Sequence, residues 1–180
     1  FGGLRRISPD DPVGLAVMKA IAAGISVYAA HTTADKVLAG VSGAMARRLG
    51  LVNVNVLECG PDGNGLGAVG NLPSPLPAAE AVKFVKKRFS LKVCRCSRLI
   101  DEPVSRIAMC GGSGSSLIEE AMASGAQMYI SGDISYHHFF TRSGFMLMDI
   151  GHFESEVEIV DILFSLITKK FPNFAVRKSG

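Results

Sequence analysis

The 180 residues suffice for one domain or two small ones, and a hydrophobic content of 48% is enough to bury a core. A net charge of +3, with only 19% charged residues scattered along the chain, excludes the dense basic stripe of a duplex nucleic-acid binder. No apolar run approaches the ~20 residues of a membrane span and no signal peptide is visible, so a cytoplasmic protein with no membrane partner is expected.

The chain opens at Phe1 rather than Met, as a segment cut from a longer polypeptide would. Asp10 or Asp11 caps a first helix with Pro12 in its first turn, and Gly24 ends it. Ile25 to Ala30 reads as a strand, and Ser42 to Leu49 as a short helix closed by Gly50. Strands are expected over Val52 to Leu57 and Gly65 to Val69, around the turn Pro61-Asp62-Gly63-Asn64. Pro73, Pro75 and Pro77 read as a connector, and Ala78 to Phe89 as a helix carrying Lys83, Lys86, Lys87 and Arg88 on a solvated face.

The second half is more regular. Arg106 to Cys110 reads as a strand followed by a glycine-serine loop, and Ser116 with Glu119 as a capping box for a helix ending at Gly125. Gln127 to Ser131 and Phe145 to Ile150 read as strands. A last helix is expected from about Ser155 to Lys170, with Val160, Leu163, Ile167 and Phe171 on one stripe and Pro172 as its stop. Strands interleaved with helices argue for an α/β layered fold with a mixed, mostly parallel sheet. Of the four cysteines, Cys94 and Cys96 alternate as strand neighbours do, and the spacing fits no zinc ribbon, so reduced thiols are expected.

Several of these strands end in polar clusters, which is where α/β sheets gather functional groups. His31 and Asp35 follow Ile25 to Ala30. His152 and Glu156 follow Phe145 to Ile150, and their spacing of four puts both on one face of a helical turn. Imidazole with carboxylate suits zinc, iron or manganese. His137 and His138 follow Gln127 to Ser131 and are adjacent, so a regular element cannot aim both at one ion. His31, Asp35, His137, His152 and Glu156 are expected around one cleft.

Two glycine-rich stretches compete for attention. Gly65-Leu66-Gly67-Ala68-Val69-Gly70 matches the dinucleotide fingerprint, but the prolines after it cannot open the helix that would hold a pyrophosphate. Gly111-Gly112-Ser113-Gly114-Ser115-Ser116 does lie between a strand and a helix. It lacks the Lys of a P-loop and reads as a tight turn near the site, with contact to a substrate phosphate as the alternative.

In combination these segments resemble the NIF-three-like dinuclear-metal family. His31-Thr32-Thr33-Ala34-Asp35 resembles its His-Thr-Asn-x-Asp motif, with Thr33 in place of the asparagine. Cys110-Gly111-Gly112-Ser113-Gly114-Ser115 is similar to its glycine-serine motif, and Gly132-Asp133 with His137 to its Thr-Gly-Asp-x-x-x-His motif. Asp149-x-Gly151-His152-x-x-Ser155-Glu156 resembles its C-terminal metal motif.

The resemblance implies the NIF-three-like fold and a site for two divalent metal ions, with Asp35, His152 and Glu156 as ligands and Glu156 bridging. It places His31 along the site, and His31 or His137 is suited to shuttle a proton. Two further ligands come from a His-His-Pro motif. Phe1-Gly2-Gly3-Leu4 resembles the family's segment just after that motif, so residues 1–180 are expected to form one domain lacking the N-terminal part that holds the pair. The implied activity is a metal-dependent hydrolase of the GTP cyclohydrolase type, acting on a nucleotide or related small molecule. The alternative is a metal-binding scaffold or interaction protein without turnover. A homohexamer is the implied assembly.

Overall fold

A computed structural model describes residues 4–179; Phe1, Gly2 and Gly3, the residues that resemble the continuation of the His-His-Pro segment, lie outside the described residues. The chain divides into two compact units, Phe1–His31 and Thr32–Gly180.

In the first unit, Pro12–Ala22 (α1) begins as its sequence predicts. Asp11 caps it by accepting a 2.7 Å hydrogen bond from the Gly14 N–H, with proline in the first turn. Residues 25–30, expected as a strand, form none. This apolar run carries Ile25, Val27 and Tyr28 largely exposed rather than buried in the sheet.

The second unit runs in order through helices Thr32–Asp35 (α2) and Val41–Leu49 (α3), strands Val52–Cys59 (β1) and Gly65–Leu76 (β2), helix Ala78–Phe89 (α4), and the short strand Arg95–Cys96 (β3). Strand Val104–Ser113 (β4), helix Ile118–Ala123 (α5), and strands Met128–Gly132 (β5) and Met146–Asp149 (β6) come next, and helices His152–Glu156 (α6) and Ile159–Lys170 (α7) close it. The strands form one sheet in the order β1-β2-β4-β5-β6-β3. β4, β5 and β6 run parallel; the other pairings are antiparallel, so the sheet is mixed and parallel pairing is confined to that central trio.

Alternation along the parallel strands splits the core between the two faces of the sheet. Ile107, Met109, Met128, Ile130, Met146 and Met148 pack with α3 and α4. Ala108, Tyr129 and Leu147 pack with α5. Both faces are therefore covered, as parallel strands require.

Four expectations are corrected. The prolines 73 and 75 lie inside β2, not in a connector. β1 accompanies β2 only as far as Asn71, and pairing with β4 shifts register between Asn71 and Leu76, so the missing proline N–H groups break no regular ladder. The glycine-serine segment is strand up to Ser113, which pairs with Gly132. Ser116 caps nothing: a 3-10 turn over Ser115–Leu117 precedes α5, which has no side-chain cap. The last helix is broken between α6 and α7. The break falls between two anchored points, Ser155, whose Oγ accepts from the Gly112 N–H, and Glu158, which pairs with Arg48 at 2.9 Å. The stripe of α7 is not buried: Val160, Ile167 and Phe171 are all exposed.

Candidate functional site

Because β4, β5 and β6 are parallel, their carboxyl ends open on the same edge of the sheet. Three segments meet there: 111–114 at the end of β4, Gly132-Asp133 at the end of β5, and Gly151-His152 after β6. Their approach is closer than side chains allow. A β-carbon on Gly132 would stand 2.8 Å from both N and Cα of His152. One on Gly112, whose φ is +65°, would stand 2.2 Å from Glu156 Oε1 and 3.3 Å from His152 Nε2. The glycines thus leave a notch, and the side chains of His152 and Glu156 occupy its mouth.

His152 and Glu156 share one face of α6, with Nε2 of the ring 3.4 Å from a Glu156 oxygen. The opposite ring nitrogen, Nδ1, lies 2.6 Å from Asp133 Oδ2. The hydrogen bond to Asp133 is the main reason that the His152 pKa is held above its usual value; Glu156 adds to it and partial burial opposes it. Asp149 ties the two arms together from beneath. It is buried, accepts from the N–H of Ile134 at 3.0 Å and of Gly151 at 2.9 Å, and pairs with Arg95.

Asp35 ends α2, which packs against α3 and β2. Its charge and that of Glu156 both act on the Cys110 thiol, which burial and these carboxylates push up to about 11 against the pull of a Ser42 hydrogen bond. His31 lies at the end of the first unit with φ +39°. His137 sits on an exposed 3-10 turn, Tyr136–Phe139, its ring edge-on to Tyr136 at 5.6 Å. It makes no hydrogen bond to His152 or Glu156 among the described residues.

The glycine-serine segment uses its own N–H groups. Gly111 donates to Ser42 Oγ at 3.4 Å, Gly112 to Ser155 Oγ at 2.9 Å, and Gly114 to Ser131 Oγ at 3.0 Å. Donors satisfied inward do not cradle a phosphate, so this segment is a structural wall. The other glycine run, 65–70, lies within β2 between two neighbouring strands and opens no helix, as its sequence predicts.

Among the described residues, no group of three or more His, Cys, Asp or Glu side chains stands in a metal-holding arrangement. The donor chemistry at the notch nevertheless fits a divalent transition ion: a carboxylate beside an imidazole whose other nitrogen is held by a second carboxylate. Sequence reasoning passed over the hydrogen bonds made by Asp133, Asp149 and Ser155, although each lies inside a motif it quoted. Those bonds join segments far apart in the chain, Asp133 to His152, Asp149 to Ile134 and Ser155 to Gly112.

An α/β protein with its polar residues at the carboxyl edge of a parallel trio is the class this geometry defines. The chain matches the family described as Duf34/NIF3 (NGG1p interacting factor 3) over residues 1–179, and it belongs to that family. It is 36% identical over 152 residues to the GTP cyclohydrolase 1 type 2 homolog of Streptococcus pneumoniae, covering 81% of this chain and 56% of that protein. It is 28% identical over 169 residues to the protein NIF3 homolog of Schizosaccharomyces pombe, covering 87% and 59%. The chain spans about half the length of the curated relatives it matches. In fold it is similar to a Bacillus cereus protein related to NIF3, with TM-score 0.86 and 20% identity over 99% of this chain and 78% of the other. A hypothetical protein of Staphylococcus aureus gives TM-score 0.85 and 21% identity over 96% and 70%. Among the described residues, no helix is long and apolar enough to cross a membrane.

Proposed function

We propose that this chain supplies Asp35, His152 and Glu156 to a site for two divalent metal ions, and that the whole protein is a metal-dependent hydrolase of a nucleotide or related small molecule. The observation that carries the reading is the arrangement of His152: Nδ1 bonded to Asp133 at 2.6 Å and Nε2 beside Glu156 at the Gly112 notch. An imidazole anchored through one nitrogen by a carboxylate offers the other as a ligand. Several relatives carry the name GTP cyclohydrolase 1 type 2 homolog, which makes GTP the first substrate to try.

When bound, divalent ions supply Lewis acidity and make water a nucleophile at neutral pH. The residues of this chain provide the rest. Glu156 and Asp35 bring negative charge to balance the cations, and His152 adds a neutral nitrogen donor. His31 and His137 are the imidazoles assigned to proton movement, because histidine changes charge near working pH. A homohexamer in the cytoplasm completes the proposal.

The test is metal analysis of the purified whole protein together with turnover of GTP, followed as opening of its purine ring. Metal-dependent ring opening, lost in His152→Ala, is expected. Bound metal without turnover of GTP or other nucleotides favours the scaffold reading instead.

A further inference from the structure

We propose that Asp133 is the positioning residue of His152: its carboxylate holds the imidazole with Nδ1 protonated, so that Nε2 presents its lone pair toward Glu156 and the Gly112 notch. The inference rests on the metal reading of His152 and Glu156, and adds a residue whose role that reading leaves unassigned.

The geometry is specific at both ends of the contact. On the histidine side, Nδ1 meets Asp133 Oδ2 at 2.6 Å while Nε2 lies 3.4 Å from Glu156, so the ring's two nitrogens face two different carboxylates. A neutral imidazole has one N–H and one lone pair, and the tautomer is set by the stronger acceptor. The shorter contact is to Asp133, which therefore takes the proton-bearing nitrogen.

On the aspartate side, the backbone is built for this placement. Asp133 has φ +50°, in the left-handed region that aspartate and asparagine adopt more readily than other non-glycine residues. Both side chains of the pair are half exposed. The holding groups belong to β3, β5 and β6 and the turns beside them. Gly132 lets β5 end against the backbone of His152. The Ile134 N–H donates to Asp149 at 3.0 Å, and the Ile134 carbonyl accepts from Arg95 at 2.8 Å. Asp149 also fixes Gly151, the residue before His152, at 2.9 Å. One buried carboxylate therefore sets both the residue after Asp133 and the residue before His152.

The experiment uses the whole protein labelled with ¹⁵N-histidine, free of metal, at a pH where the imidazole is neutral. Long-range ¹H–¹⁵N spectra report which ring nitrogen carries the proton. His152 is expected as the Nδ1–H tautomer in the wild type. It is expected to shift toward Nε2–H in Asp133→Gly, where glycine takes the positive φ without strain. Asp133→Asn keeps an acceptor oxygen and tolerates positive φ, and is expected to restore Nδ1–H. Zn²⁺ titration should show affinity about 10–100-fold weaker in Asp133→Gly. An unchanged Nδ1–H tautomer in Asp133→Gly overturns the proposal. Unchanged Zn²⁺ binding in His152→Ala overturns the ligand assignment instead, while the tautomer, read without metal, still judges Asp133.

Discussion

Glu156 Oε1 occupies the space that a β-carbon on Gly112 would need, 2.2 Å from its ideal position. The glycine-serine motif of β4 and the carboxylate of α6 are thus fitted to each other across the edge of the sheet. This yields the first prediction. Gly112→Ala introduces strain at φ +65° and drives Glu156 out of the notch. The strain alone costs about 1–2 kcal/mol. Gly125→Ala carries similar strain at φ +77° but has nothing within 4 Å of the new carbon. Urea unfolding should therefore show both variants destabilised, and Zn²⁺ titration should show weakened binding in Gly112→Ala alone. Equal Zn²⁺ affinity in the two would refute the fit.

Asp149 supports a second prediction. Its removal leaves the N–H groups of Ile134 and Gly151 without their acceptor, at about 1–3 kcal/mol each where water cannot replace it. Arg95, its ion-pair partner, is 60% exposed and regains water, so its loss adds little. Asp149→Ala should lose several kcal/mol in denaturant unfolding, whereas Arg95→Ala should lose about 1 kcal/mol or less. A larger loss in Arg95→Ala would show that the pair, not the backbone contacts, dominates.

Much of the fold is legible in the residues. The apolar runs in 106–110, 127–131 and 145–150 mark the three parallel strands, and α4 begins and ends where its sequence predicts. The spacing of His152 and Glu156 places them on one face of a helical turn, and they lie there. Other features depend on pairing partners far away in the chain. Ile25 to Ala30 has the composition of a strand without becoming one. The glycine-serine segment reads as a loop from its small residues, yet Ser113 pairs with Gly132 and the N–H groups beside it find serine acceptors from three other elements. The bond between Asp133 and His152 joins residues 19 apart and arises only from the parallel register of β5 and β6.

A third prediction concerns the thiols, all of which are free. Burial, with the neighbouring Cys94 thiol adding to it, raises the Cys96 pKa to about 12, and burial raises that of Cys110 to about 11. The reactive species is the thiolate, so both should resist iodoacetamide at pH 8 in the native state. Cys59 is exposed and should react first, as read by peptide mass spectrometry. The same shifts set a pH dependence. A thiol whose pKa is raised by folding stabilises the native state below its unfolded pKa near 9, and that contribution is lost as pH rises through the folded value. Stability should therefore fall between pH 9 and about 11, and less steeply in Cys110→Ala. An identical slope in the variant would assign the fall to other groups.

The last prediction separates two carboxylates on one short helix. Glu156 points into the notch beside His152 Nε2. Glu154, in the first turn of α6, folds back instead: a β-carbon on Gly151 would lie 2.2 Å from its Oε2, which puts this carboxylate against the start of its own helix. If Glu156 bridges two cations, as the family resemblance implies, its negative charge would reduce their mutual repulsion. Glu156→Gln preserves the shape, removes the charge and turns an N–H donor toward a cation, so one amide oxygen must serve where two carboxylate oxygens did. Glu154→Gln makes the same chemical change a turn away from the notch, where the carboxylate only favours the positive end of a short helix. In the whole protein, Glu156→Gln should lose at least one metal equivalent while Glu154→Gln keeps both, as measured by mass spectrometry of metal content. Equal loss in the two variants, or loss in neither, would refute the bridging role of Glu156.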